Sequence, residues 1–220
     1  MKNVTENKNN EKKRVYNLLI VDESGSMEII RKQAFAGLNE TLDTVKKLQA
    51  QNTDIEQHVT LLTFDSDHKR FVYDNVTDKD VRQLKWNEYC PGGATPLYDA
   101  IGLAVSKLNA QTEVGDNVLV TIITDGEENC SREWNLTMVR TLIEKLKGQG
   151  WTFTLIGTDN LDVEGMAAQM CIDDHLTFSE DAEETEAMFE LDREARVCYN
   201  ACVAEGSAPA RGRHFSRKRV

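Results

Sequence analysis

Three oxygen-bearing side chains occupy alternate positions near the start of the chain. Asp22, Ser24 and Ser26 follow the apolar run Leu18–Val21, which is too short and too β-branched for a helix and predicts a buried strand. Alternate residues of an extended segment point the same way, and Gly25 permits a tight turn, so the three side chains can converge. Hard divalent cations such as Mg²⁺ prefer oxygen ligands in a near-octahedral set. The segment therefore predicts part of a metal site.

Two later segments carry further oxygen ligands. Thr95 lies in the glycine–proline loop of residues 90–97, just before a helical pattern. Asp125 ends a second buried-strand run and is followed by Gly126. In an open parallel sheet, ligands bind outside the carboxyl ends of the strands, at the point where the winding direction reverses. We therefore expect Asp22, Thr95 and Asp125 to meet at that edge of the sheet.

This pattern resembles the metal-ion-dependent adhesion site of the von Willebrand factor type A (vWA) domain. That family carries Asp-x-Ser-x-Ser, then a loop Thr, then an Asp at the end of a later strand. The matching residues, with no departure in residue type, are Asp22, Ser24, Ser26, Thr95 and Asp125. The resemblance covers roughly residues 15–180. The Ser-Gly-Ser-Met form is more similar to the bacterial and intracellular branch than to the integrin-type branch.

The resemblance implies a protein-interaction module and not an enzyme. The hydroxyl groups would bind Mg²⁺ or Mn²⁺ directly, and the acids would bind directly or through water. Neutral hydroxyl ligands leave the cation under-neutralised, and one open position would accept a carboxylate from a protein partner. Intracellular relatives often serve as accessory subunits of larger complexes, which is a special case of the same function.

The alternative is a Mg²⁺-dependent phosphohydrolase with Asp22 as the nucleophile. Such enzymes also place an Asp at a strand end above a doubly wound sheet. They usually carry a second acid two residues later, where this chain has Ser24, and no lysine lies on an obvious loop at this edge. A serine nucleophile would need a base, and no histidine lies near the motif. The sequence therefore predicts no catalytic residues.

Composition limits the class of protein. With 220 residues, 40% of them hydrophobic, the chain can form one domain with a substantial core, and its three prolines argue against a long internal linker. No stretch is apolar enough to span a bilayer, and residues 1–14 lack the apolar centre of a secretory signal. We expect a cytoplasmic protein, and the sequence does not indicate its oligomeric state.

Charge is unevenly distributed along the chain. The net charge is −11, but residues 15–204 carry 16 basic and 34 acidic residues, a net −18. Such a domain repels the nucleic-acid backbone, so we expect no nucleic-acid binding by the domain itself. The basic segment 204–220 is interpreted as a disordered tail, with an arm for anionic surfaces as the alternative.

Three acids flank the predicted metal site and allow two interpretations. Glu23, Glu127 and Glu128 either form a solvated acidic rim or select one carboxylate that lies among basic neighbours. Two of the five cysteines, Cys90 and Cys130, adjoin the same loops. Unpaired thiols are the default for a cytosolic protein, and a redox clasp is the alternative.

The order of patterns predicts a doubly wound α/β fold of the Rossmann-like vWA type. It has a mostly parallel sheet, one antiparallel edge strand and helices on both faces. Residues 70–73 should be the antiparallel edge because the short link Asp65–His68 between them and the preceding strand suggests a hairpin. Helical segments are expected at 29–48, 77–84, 97–108, 134–146 and 162–170, with a last one capped by Ser179 and running to about residue 203. The predicted organisation is a polar tail (1–14), a vWA domain (15–203) and the basic tail (204–220).

Overall fold

A six-stranded sheet forms the centre of the protein. The structure is a computed structural model, and it describes residues 12–207. The strands are β1 (Lys13–Asp22), β2 (Ile55–Phe64), β3 (Lys69–Thr77), β4 (Asn117–Thr124), β5 (Thr152–Thr158) and β6 (Asp174–Phe178). Their order across the sheet is β3-β2-β1-β4-β5-β6. Only β3 is antiparallel to its neighbour, which confirms the predicted mixed sheet with one antiparallel edge.

Helices cover both faces of this sheet, as predicted. They are α1 (Arg31–Gln51), α2 (Leu97–Asn109), α3 (Leu136–Gly148), α4 (Val163–Gln169) and α5 (Ala182–Glu205). One buried cluster joins α2, α3 and α4 to the sheet, and a second joins α1 and α5 to the opposite face. Because both faces are covered, the central strands are apolar on both sides instead of alternating.

The winding direction reverses between two central strands. β1 pairs with β2 on one side and with β4 on the other, both in parallel. The chain leaves β1 toward β2 and later returns to add β4, β5 and β6 on the other side. The carboxyl ends of β1 and β4 therefore border the crevice in which open α/β sheets bind ligands.

Two local predictions were wrong. Residues 77–84 do not form a helix: a single 3₁₀ turn covers Asp78–Asp80, and the chain then runs irregularly to a second such turn at Trp86–Glu88. Ser179 does not cap α5, because Asp181 does so by accepting a hydrogen bond from the Glu184 amide, and Ser179 donates its hydroxyl to Asp181.

A strand and a helix mark the two ends of the described secondary structure. β1 begins at Lys13 and α5 ends at Glu205, while residues 1–11 and 208–220 of the predicted tails lie outside the described residues. Within residues 12–207, no helix has the length and apolar character needed to cross a membrane. All five cysteines are free thiols.

Candidate metal centre

The five predicted ligands meet at the reversal point of the sheet. Asp22 is the last residue of β1 and is fully buried, and Asp125 directly follows β4. Thr95 lies near the end of the loop before α2 and is only 3% exposed. Ser24 is buried, whereas Ser26, in the 3₁₀ turn after β1, is exposed. The cluster therefore opens to solvent on the side of Ser26.

Three oxygen atoms of the cluster lie close to one another. The Ser26 hydroxyl donates to Asp125 Oδ1 at 2.8 Å, and the Ser24 and Ser26 Oγ atoms are 3.3 Å apart. Ligands at adjacent corners of an octahedron with 2.0–2.1 Å arms are about 2.9 Å apart. The Ser26–Asp125 distance is thus close to that of neighbouring Mg²⁺ ligands, and the Ser24–Ser26 distance is slightly longer.

The carboxylate of Asp22 is fixed by two hydrogen bonds. Its Oδ1 accepts from the Ser24 backbone N–H at 2.7 Å, and its Oδ2 accepts from the Thr124 hydroxyl at 2.6 Å. The Tyr89 hydroxyl also donates to the Asp22 carbonyl at 2.9 Å. Asp22 is therefore oriented by the protein before any ligand arrives.

Backbone contacts place Thr95 against the end of β4. The Thr95 N–H donates to Asn129 Oδ1 at 2.9 Å, and the Asn129 N–H donates to the Thr95 carbonyl at 3.2 Å. A Cβ atom at Gly126 would lie 2.9 Å from Thr95 Oγ1, so a side chain at position 126 would displace the Thr95 hydroxyl. The sequence indicated Thr95 itself but not the Asn129 that holds it.

Hydrogen bonds also join the loop after β1 to the loop before α2. The Gly25 N–H donates to the Gly93 carbonyl at 3.1 Å, and the Gly92 N–H donates to the Glu23 carbonyl at 2.8 Å. Asp99, near the start of α2, accepts from the backbone N–H groups of Glu133 and Trp134 at 2.9 and 2.8 Å. Backbone hydrogen bonds thus join the three ligand-bearing loops into one rim.

The two carboxylates of the cluster are short of positive charge. Burial, followed by the negative charges of Asp22 and Glu180, raises the pKa of Asp125 to about 6, although the hydrogen bond from Ser26 lowers it. Burial also raises the pKa of Asp22. Asp125 Oδ2 is buried and lacks a hydrogen-bond partner among residues 12–207. A divalent cation would satisfy this oxygen and stabilise both ionised carboxylates.

The donor chemistry therefore fits the predicted metal. Two carboxylates and three hydroxyls form a hard, all-oxygen set suited to Mg²⁺ or Mn²⁺. Sites built from three or more His, Cys, Asp or Glu side chains, the arrangement typical of zinc, are absent from the described part of the chain.

The flanking acids have different roles. Glu23 is buried, accepts a hydrogen bond from the Cys90 N–H and lies 3.7 Å from Arg70, so it supports the rim and is not a solvated charge. Glu128 accepts from the Tyr98 N–H at 2.8 Å. Glu127 is exposed. The solvated-rim interpretation is thus wrong for Glu23 and fits Glu127.

Comparisons with known proteins support the same architecture. The sequence model of the von Willebrand factor type A domain matches residues 18–191. No curated protein sequence gives a match. The vWF domain of the type V pili tip protein Mfa5 from Porphyromonas gingivalis has a TM-score of 0.64 and 11% identity, covering 95% of this chain and 98% of that one.

Other similar structures come from longer chains or from a different context. The open form of the pilus adhesin SpaC from Lactobacillus rhamnosus GG has a TM-score of 0.61 and 15% identity, over 83% of this chain but only 30% of SpaC. The SpRpn10 VWA domain has a TM-score of 0.56 and 12% identity, over 79% of this chain and 92% of that one. At these identities the likeness shows a shared fold.

Proposed function

The chain belongs to the von Willebrand factor type A family, and from this membership we propose that it is a metal-dependent protein-interaction module. Asp22, Ser24, Ser26, Thr95 and Asp125 would hold Mg²⁺ or Mn²⁺. The bound cation would supply an electrophilic centre that takes up a carboxylate from a partner protein. The main support is Asp125 Oδ2, a buried oxygen without a hydrogen-bond partner among residues 12–207.

The open side of the cluster gives a partner access to the cation. Ser26 is exposed while the other four residues are buried, so an incoming group can reach the site on the side of the 3₁₀ turn of Gly25–Glu28. Three neutral hydroxyls leave part of the cation's charge unbalanced, which favours an acidic incoming group. An accessory role in a larger intracellular complex and a cytoplasmic location remain predictions from the sequence resemblance.

Affinity capture from the native host tests this function. The protein should retain a partner in Mg²⁺ or Mn²⁺ and release it in EDTA, and exchanging one partner Asp or Glu for its amide should abolish binding. Asp54→Ala is a matched control because Asp54 is exposed and directly precedes β2, at the amino-terminal end of that strand and away from the candidate site. Partner retention that is unchanged by EDTA would contradict the proposal.

The absence of enzymatic activity is part of the same proposal. A phosphohydrolase needs a carboxylate oxygen available for attack, but Asp22 is fully buried and both of its oxygens accept hydrogen bonds. We expect no turnover of phosphomonoesters, phosphodiesters, nucleotides or esters with Mg²⁺ or Mn²⁺. Enzymes typically accelerate reactions about a millionfold or more, so activity would be obvious. Metal-dependent turnover lost in both Asp22→Asn and Ser24→Ala would favour the hydrolase instead.

A further inference from the structure

A cavity of about 210 Å³ lies beside the candidate metal site, between the start of α2, the loop after β4 and α4. Its apolar walls include Tyr98, Met166 and Met170, and its acidic groups belong to Glu127, Glu128 and Asp162. No lysine or arginine is among the residues that line it. Pockets for drug-sized ligands measure about 300–1,000 Å³, so this one suits a single long side chain.

The three acids of this cavity are not equivalent. Glu128 accepts hydrogen bonds from the backbone N–H groups of Tyr98 and Ser131 at 2.8 and 2.7 Å, so it is engaged in holding the loop. Asp162 caps α4 by accepting from the Gly165 N–H at 2.9 Å. The exposed Glu127 makes no hydrogen bond or ion pair with other residues in the range 12–207. Its carboxylate is available to a ligand.

The chemistry of the walls favours a cationic, amphipathic side chain. Burial raises the pKa of Tyr98, and the negative charges of Glu128 and Glu127 raise it further, so both charges act on the same ring. A lysine or arginine has an apolar stem that can cover Met166 and a charged head that can reach an acid. The face of a tyrosine ring also attracts such a cation.

The cavity and the metal site share two segments of chain. Glu127 lies two residues after Asp125, and Tyr98 lies three residues after Thr95. Consecutive Cα atoms are 3.8 Å apart, so the Glu127 and Asp125 Cα atoms are within about 8 Å. An extended partner segment advances about 3.3–3.6 Å per residue, so two or three of its residues cover a separation of that size.

We propose that the cavity binds a lysine or arginine of the same partner segment whose acidic residue reaches the metal. This inference rests on the proposed function. The partner motif is one Asp or Glu with a Lys or Arg within three positions of it. The metal site supplies the anchor for the acid, and Glu127 with its apolar surroundings selects the basic neighbour.

Synthetic peptides test this motif directly. The peptides have seven residues, with a central Asp in an alanine–glycine background. In each peptide one of the other six positions carries Lys, Gln or Glu. Binding of each peptide to the full chain would be measured in Mn²⁺ and in EDTA. We expect Lys at one or more positions within three residues of the Asp to strengthen binding about fivefold over Gln, because several individually weak contacts combine. Glu at the same positions should weaken binding.

Two variants test whether the preference for Lys over Gln arises in the cavity. Glu127→Gln should reduce the advantage of Lys over Gln to about twofold or less, and Met166→Lys, which adds a cation to the wall, should abolish it. Glu113→Gln is the control, because Glu113 is an exposed acid that precedes β4 at the opposite edge of the sheet. Metal-induced thermal stabilisation should persist in all three variants, which also verifies that they fold.

The outcomes separate this inference from the proposed function. Metal-dependent binding of the Asp peptides with no preference for Lys, or with a preference that persists in both cavity variants, overturns the inference and leaves the proposed function intact. Peptides with Asn in place of Asp that bind as well as the originals, or binding that is equal in EDTA, would overturn the proposed function and this inference with it.

Discussion

The residues of the candidate metal site are held in position mainly by hydrogen bonds that involve backbone groups. Asp22 accepts from the Ser24 N–H, and Thr95 exchanges hydrogen bonds with Asn129 through its own backbone. The hydroxyl groups of Ser24, Ser26 and Thr95 are thus not the main supports of their loops. Removing one ligand hydroxyl should therefore affect metal and partner binding more than folding.

Thr95→Ala tests this separation between binding and folding. Its backbone contacts survive the change, so we expect the free energy of unfolding to fall by only about 1 kcal/mol, whereas metal-dependent partner capture should weaken strongly. Thr95→Ser, which retains the hydroxyl, should preserve capture. Urea unfolding and capture would be measured on both variants. A Thr95→Ala protein that is unfolded in buffer would show that Thr95 is primarily a folding residue.

Asp99→Asn tests the support of the rim. Although burial raises the pKa of Asp99, hydrogen bonds from three backbone N–H groups and the charge of Lys69 lower it below its usual 3.8 overall. A depressed folded-state pKa stabilises the protein above the unfolded-state pKa, and this contribution is lost as the pH falls through the folded-state value. At pH 7 the variant should be less stable by about 1–3 kcal/mol.

The pH dependence of stability shows whether the negative charge of Asp99, and not only its shape, stabilises the fold. The stability difference between the wild type and Asp99→Asn should be constant from pH 7 to about 5 and should shrink below about pH 4. Urea denaturation across this range measures it. A difference that does not change down to pH 2 would mean that the negative charge of Asp99 contributes nothing.

The five candidate ligands could be picked out from the spacing of residue types, because the two strand ends and the loop each carry a local signal. The supporting residues Thr124, Asn129 and Asp99 gave no such signal. Each acts on a partner distant in sequence or through its backbone: Thr124, for example, bonds to Asp22, 102 residues away. Such roles depend on three-dimensional neighbours that one sequence does not reveal.

At the level of elements, α5 is attached to the sheet by a polar stripe. Asp192, Arg196 and Asn200 follow at four-residue steps and are all buried. Arg196 is fully buried, pairs with Asp192 at 2.9 Å and donates to Asn17 at 3.1 Å and Thr121 at 2.7 Å. The helix is therefore fixed in position across β1 and β4 by directional hydrogen bonds as well as by apolar packing.

Arg196→Ala should destabilise the protein by about 3–5 kcal/mol, because it leaves the Asp192 charge buried without its cation. Arg140→Ala is a matched control, since Arg140 forms an i,i+4 pair with Glu144 on the surface of α3, where both side chains are about half exposed. Exposed pairs contribute at most about 1 kcal/mol. Equal losses in the two variants, measured by chemical denaturation, would contradict the assigned role of Arg196.

Elements were predicted best where the apolar pattern was long. The strands, α1 and α2 follow from buried runs and helical periodicity. The helix predicted at residues 77–84 was wrong, although Val81 and Leu84 are apolar and buried. The Leu84 N–H instead donates to Asn39 on α1, and the Arg82 carbonyl accepts from the Tyr73 hydroxyl. Tertiary hydrogen bonds replaced those of a helix. The burial of the polar stripe of α5 was not predicted from the sequence.

At the scale of the whole molecule, an acidic domain presents one candidate cation site at the reversal point of its sheet. Residues 15–204 carry a net charge of −18, which attracts divalent cations and repels partners that are acidic throughout. A partner must therefore offer an acid within a neutral or basic surface. The cavity beside the metal site, with Glu127 exposed at its side, fits such a partner.

Thermal unfolding with and without divalent metal tests the central claim most directly. Protein treated with EDTA should gain about 2.7 kcal/mol of stability when Mg²⁺ or Mn²⁺ is a hundredfold above its dissociation constant, and its melting temperature should rise accordingly. Asp22→Ala and Ser26→Ala should lose this gain, whereas Asp54→Ala should retain it. An identical metal-induced shift in Asp22→Ala and the wild type would contradict the claim, because the metal would then bind elsewhere.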